Sequence, residues 1–210
     1  MVDIKRVSPV SFGKSPKRTE VRDNWTIAME YDGEGQGLSI VDLSHVTRLD
    51  VQTGDLSVAT PFGLAIPEVP GQSVLKEGIL INRMNGIQAS VFQLPGNDAE
   101  LPTDVFVTET TESTLCVAIM GKDTFPFMEK VTNLDFLDPK MTAPFLFQGP
   151  CCHVPCQIIT LSKDGEKAGL ILTCSRGYGK DMIHSLLEAG VEFNMKPAGE
   201  EKFSTWVASL

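Results

Sequence analysis

Apolar residues recur along this chain with two distinct periods. From 25 to 31 they occupy every second position, so Trp25, Ile27, Met29 and Tyr31 share one face of a half-buried strand. Residues 38–51 predict two more strands on either side of Ser44-His45. Short apolar runs near 79–81, 89–94, 104–108 and 115–120 each predict another. Residues 157–161 and 168–174 read as a hairpin across Lys163-Asp164-Gly165. Helical spacing appears in two places. Phe125, Met128 and Val131 give a core face to a helix that Thr124 caps, with Pro126 in its first turn, where the missing N–H is tolerated. Met182, Ile183, Leu186 and Leu187 face inward on a final helix over about 180–188, which Gly190 stops. Asp55 is placed to cap a short helix over 56–62 that Gly63 closes.

The segments between these elements are punctuated by glycine and proline. Residues 32–37, Asp-Gly-Glu-Gly-Gln-Gly, form a turn that needs glycine's positive φ. They are not a phosphate loop, because the Gly-Lys-Ser/Thr ending is missing and two acids would repel phosphate. Residues 139–155 are apolar and proline-rich and predict a long crossover. Residues 1–22 carry Lys5, Arg6, Lys14, Lys17, Arg18 and Arg22 with few large apolar side chains. They predict an extended arm, either free or lying along a partner. Two rough copies of strands followed by a helix give an α+β protein in two lobes, 23–132 and 133–210, with the second lobe closing the same domain.

Bulk composition narrows the function. The chain has 210 residues, 42% hydrophobic and 21% charged, as in an ordinary globular domain. A net charge of −9 argues against nucleic acid, which needs a basic face, and is compatible with docking onto a basic partner. No apolar run reaches membrane-span length, and the first seven residues lack the apolar stretch of a secretory signal. The five cysteines are unevenly spread in a chain too large to need staples. They are expected to be reduced thiols in a cytoplasmic protein.

Several side chains could carry chemistry. In the stretch Cys174-Ser-Arg-Gly-Tyr-Gly-Lys180 a strand runs through a tight loop into a helix. Arg176 and the first helical amides could meet an anion there, or the loop could be a plain joint. Cys151, Cys152, His153 and Cys156 form the densest group of metal-capable residues, with Cys152, His153 and Cys156 the candidate ligands. Their spacing is poor for zinc, because neighbours on an extended chain point to opposite sides, and buried free cysteine is common in cores. A Cys152–His153 nucleophile pair lacks an orienting third group, and Ser44-His45 lacks a nucleophile elbow. His184 falls opposite the apolar stripe of its helix and is expected to be solvated. Phe203 and Trp206, in a polar tail, either dock onto the chain itself or anchor a subunit interface.

Three segments, in order, resemble one superfamily. Ile40-Val-Asp-Leu-Ser-His45 with Arg48-Leu-Asp-Val51 resembles the DxSH opening of the glycine-cleavage T-protein, a folate-dependent aminomethyltransferase. Gly63-Leu-Ala-Ile-Pro67 resembles the GLALP segment of the sarcosine oxidase gamma subunit. Ser175-Arg-Gly-Tyr-Gly179, with the helix ending Leu186-Leu-Glu-Ala-Gly190, resembles that subunit's C-terminal element. The resemblance implies a two-lobed, folate-binding-domain-like (aminomethyltransferase-type) fold of mostly antiparallel sheets with a few helices. The enzymatic branch carries an acid on a central strand, where this chain has Ala89 and Ser90. It carries a glutamate where Lys180 stands, and an arginine after the segment matching Lys196-Pro-Ala-Gly199, where none follows. A carboxylate is what a folate reaction needs to hold the pterin and handle protons.

The resemblance to the gamma subunit therefore implies a non-catalytic accessory subunit of a heterotetrameric sarcosine-oxidase-type flavoprotein complex acting on N-methylated amino acids or related amines. FAD, FMN, NAD and tetrahydrofolate would lie in partner subunits and no cofactor in this chain. If a folate-like pocket is retained, Arg176, Tyr178 and His45 would line it. The alternative is a stand-alone tetrahydrofolate-binding aminomethyl or C1-transferase. A metal or iron–sulfur-linked protein through residues 151–156 is a third reading.

Overall fold

The structure is a computed structural model. It describes residues 5–35 and 37–210, so residues 1–4 of the expected arm and Gln36 of the glycine turn lie outside the described residues. In chain order the strands are β1 (Arg18–Arg22), β2 (Trp25–Glu30), β3 (Ser39–Asp42), β4 (Thr47–Gln52), β5 (Ser73–Lys76), β6 (Ile79–Arg83), β7 (Gln88–Gln93), β8 (Val107–Glu109) and β9 (Thr114–Met120). Helix α1 (Thr124–Val131) follows, then β10 (Phe145–Cys151), β11 (Val154–Ser162), β12 (Gly169–Ser175), α2 (Gly179–Gly190), β13 (Lys196–Ala198) and α3 (Glu200–Val207).

These build two stacked sheets and a separate two-stranded one, β1–β2. The larger has the order β10-β11-β12-β9-β3-β13, antiparallel except for the β3–β13 pair. The smaller has the order β5-β6-β7-β4-β8, antiparallel throughout. Alternation along each strand sends one set of side chains to each face. Ala118, Ile159 and Ile171 of the larger sheet share a core with Leu80 and Phe92 of the smaller. On the larger sheet's other face Leu170 and Leu172 pack with Phe127 of α1 and Met182 and Ile183 of α2. On the smaller sheet's outer face Val51 and Val91 are covered by Leu56 and Ile66. The result is an α+β molecule of mostly antiparallel strands. Among the described residues no helix is long and apolar enough to cross a membrane.

Four local expectations change. The crossover expected over 139–155 contains β10, with Phe145 and Leu146 buried. Proline hid this strand. Pro150 is tolerated because β10 is an edge strand, where a missing N–H breaks no interior ladder. The polar tail folds as α3, with Phe203 fully buried and Trp206 beside it at 5.8 Å between ring centroids. The helix of 179–190 is therefore not the last. It ends not on a left-handed Gly190 (φ −77) but after a further turn, on Asn194 (φ 51). At α1, the Thr124 hydroxyl donates to the Gly121 carbonyl and so does not act as the N-cap.

Candidate functional site

The loop between β12 and α2 is closed by the chain's own N-terminal arm. Arg176 donates from Nη2 to the carbonyl of Val7. Gly179, the first residue of α2, has no Cβ, and one built there would lie 2.7 Å from Pro9 Cβ. Proline thus sits where an anion would approach the helical amides. Arg176 Nη1 is buried without a hydrogen-bond partner. Tyr178 points outward, 48% exposed. The arm continues inward, with Phe12 edge-on to Tyr31 at 6.0 Å, before β1 pairs with β2.

His45 lies elsewhere. It sits in the turn from β3 to β4, and its Nε2 is 2.5 Å from Oε2 of Glu200, the first residue of α3. Arg22 of β1 donates to the other carboxylate oxygen at 2.5 Å. Burial pushes the Glu200 carboxyl up, but the hydrogen bonds from His45 and Arg22 outweigh it and hold it below the ordinary carboxylate range. The three nominated pocket residues therefore do not converge. Arg176 and His45 are each engaged within the chain, and Tyr178 stands alone.

A polar cleft does open between the two sheets, and sequence reasoning missed it. Asp50 of β4 lies directly opposite Ser90 of β7. Gln88 donates to Asp50 at 2.8 Å, and the Ser90 hydroxyl reaches across to Gln157 of β11 at 3.3 Å. With Thr173 and Arg48 these line a space of about 200 Å³. Ser90 faces the cleft, whereas Ala89 is buried on the opposite face among Val51 and Val91. The signal lay in the alternation. Arg48 and Asp50 of β4, and Gln88 and Ser90 of β7, are polar on the same face that carries Phe92 and Leu80 into the inter-sheet core. Arg48 itself is saturated: its guanidinium donates to the carbonyls of Leu43, Val46, Ser44, Thr111 and Thr114. It ties the β3–β4 turn to β9 rather than offering charge to a ligand.

The Cys152–His153–Cys156 metal triad does not assemble. Cys152 and His153 are the two central residues of the β10–β11 hairpin, both left-handed at φ 48 and 65, as a two-residue turn demands. That puts His153 at an exposed tip, while Cys156 is buried on the strand. Among the described residues no group of three or more His, Cys, Asp or Glu is arranged to hold a metal ion. What does assemble is a row of thiols. Cys156 stands directly opposite Cys174 of β12, and both line a groove of about 490 Å³ adjoining the polar cleft. Hydrogen bonds from Cys151 and Cys174 push the Cys156 thiol down. Donating to Cys152 and Cys156, together with burial, pushes Cys151 up, and donating to Cys156 does the same for Cys174. Burial chiefly lifts Cys116 to about 11, against the opposing pull of the Arg48 guanidinium.

The two stacked sheets with their few helices form an aminomethyltransferase-like, folate-binding-domain type of fold. A chain of the heterotetrameric sarcosine oxidase from Corynebacterium sp. U-96, in complex with pyrrole 2-carboxylate, matches with a TM-score of 0.62 at 12% identity. The match covers 76% of this chain and 87% of that one. The glycine cleavage system aminomethyltransferase T from Bartonella henselae matches with the same TM-score of 0.62 at 14% identity. It covers 88% of this chain, but this chain spans only 56% of the aminomethyltransferase. No protein-family model and no curated protein matches the sequence.

Proposed function

We propose that this chain is a non-catalytic accessory subunit of a heterotetrameric, sarcosine-oxidase-type flavoprotein complex acting on N-methylated amino acids or related amines. It corresponds to the gamma subunit and works in the cytoplasm. FAD, FMN, NAD and tetrahydrofolate belong to the partner subunits, and none binds here. The observation that carries this reading is the closure of the β12–α2 loop by the arm. The fold's opening for an anionic ligand is filled by Pro9, and Arg176 spends a donor on Val7. A ligand would have to displace the chain's own packing before it gained any contact. The match over 87% of a single sarcosine oxidase chain supports the same view, since the shared fold extends over most of one such subunit.

The test is affinity purification of the tagged full chain from its native source at low salt, followed by mass spectrometry and a flavin absorbance scan. Stoichiometric co-elution of flavin-containing subunits is the expected result. A chain that elutes alone and releases heat on titration with tetrahydrofolate would replace this reading with the stand-alone transferase.

A further inference from the structure

The accessory-subunit reading leaves the thiols of the β10–β12 hairpins unused. Four cysteines occur within a short span of sheet, and three of them, Cys151, Cys156 and Cys174, are buried. Register decides which pairs can bond. Cys156 and Cys174 are directly opposed on antiparallel strands. Opposed residues have Cα atoms about 4.5 or 5.5 Å apart and side chains on the same face. That lies within the roughly 4.4–6.8 Å a disulfide spans. Cys151 is opposed to Val154, so Cys156 lies two residues further along, on the diagonal. Diagonal neighbours are about 7–8 Å apart, beyond a relaxed disulfide. By register the Cys156–Cys174 pair can close without moving the backbone.

The same pair borders a groove. Both sulfur-bearing residues line the groove of about 490 Å³, beside Thr114, Gln157, Thr173 and His153. Cys116 is fully buried and does not line it. Within the pair the two thiols are unequal. Cys174 donates to the Ser175 carbonyl at 3.7 Å, and the neighbouring thiols push Cys156 down and Cys174 up, which favours the thiolate on Cys156. In its thiol form Cys156 donates to the Val154 carbonyl at 3.2 Å. That contact fixes its rotamer in the groove.

We propose that Cys156 and Cys174 form a reversible dithiol–disulfide centre for hydroperoxides, with Cys156 attacking and Cys174 resolving. In the first step the Cys156 sulfur attacks one peroxide oxygen. An S–O bond forms, the O–O bond breaks, and the departing oxygen takes up the thiol proton and leaves as water or alcohol. Cys156 is now a sulfenic acid. In the second step the Cys174 sulfur displaces the hydroxyl group, which leaves as water with the Cys174 proton, and the S–S bond closes. Two thiols are oxidised by two electrons, and one hydroperoxide is reduced. The product joins β11 to β12 at the wall of the groove. A dithiol reductant reverses it by exchange.

The experiment treats reduced full-length protein with hydrogen peroxide in native buffer, alkylates it without reduction, and maps tryptic peptides. Residues 141–163 carry Cys151, Cys152 and Cys156, and residues 168–176 carry Cys174, so the proposed bond links two separate peptides. Expected is loss of two of the five alkylatable thiols and appearance of that linked pair through Cys156, reversed by dithiothreitol. In Cys174→Ser, dimedone is expected to label Cys156. In Cys156→Ser, Cys174 stays unmodified. A bond between Cys151 and Cys152 instead, or five thiols still alkylatable at peroxide levels that oxidise free cysteine, overturns the proposal. If a serine variant does not fold, the wild-type map alone decides.

Discussion

Glu200 is a carboxylate removed from water and held between two groups that arrive from far away in sequence, His45 and Arg22. Its folded pKa is depressed, so it contributes stability that is complete above the unfolded value of about 4.3. That stability is lost as the pH falls through the lower folded value. Glu200→Gln should cost about 2 kcal/mol at neutral pH, the scale of a buried hydrogen bond to a charged group. It should also flatten the stability profile below about pH 5. Urea unfolding from pH 3 to 7 reads both, and superimposable acid limbs for the two proteins would remove Glu200 from the account. At this scale the sequence was least legible. His45 stands out in the sequence, but its partner lies 155 residues on, in what reads as a tail. Asp50 is hidden because one polar residue in an alternating strand looks solvent-facing until the second sheet is stacked above it.

Elements were easier to read where their period was uninterrupted. The alternation of Trp25, Ile27 and Met29 gave β2, and the helical spacing of Met182, Ile183 and Leu186 gave α2. Elements with few apolar positions, or broken by proline, were not legible, among them β1, β5, β10, β13 and α3. Helix α3 opens on the polar Glu200-Glu-Lys, and its inner face, Phe203, Trp206 and Val207, begins only at the fourth residue, so the segment reads as a tail. Its position depends instead on backbone contact. Gly199, just ahead of the helix, lies against the carbonyl of Met29, so close that a Cβ would overlap it. Its φ of −89 is open to any residue, so the constraint is space alone. Gly199→Ala should therefore push α3 off β2 and cost about 3 kcal/mol or more, beyond ordinary overpacking because the obstacle is backbone. Near-ultraviolet dichroism of Trp206 and the thermal midpoint should both fall. An alanine variant with wild-type values for both would mean that α3 is held by its apolar face alone.

At the scale of the molecule, chain order and spatial order part company. The fold class was readable from the sequence, because many short alternating strands and a few helices leave few other ways to bury both faces. Strand pairing was not. The larger sheet takes β3 and β9 from before residue 132 and β10, β11, β12 and β13 from after it. The β12–β9 ladder runs from Gly169 opposite Met120 to Ser175 opposite Thr114. It places Leu170 and Leu172 in one core and Ile171 in the other. A chain cut at 132 would leave the second piece with β12 as an exposed, apolar edge and β13 with no neighbour, the arrangement most prone to aggregate. Such a fragment, 133–210, should be insoluble or unfolded alone and should recover a structured far-ultraviolet spectrum only when co-expressed with 1–132. The intact chain should unfold in one transition, with fluorescence and far-ultraviolet dichroism coincident, because the larger sheet takes strands from both halves of the sequence and shares a core with the smaller one. A 133–210 fragment that folds by itself, with dispersed amide resonances, would show that the β10–β11–β12 hairpins and α2 suffice as a unit and that β9 merely completes it.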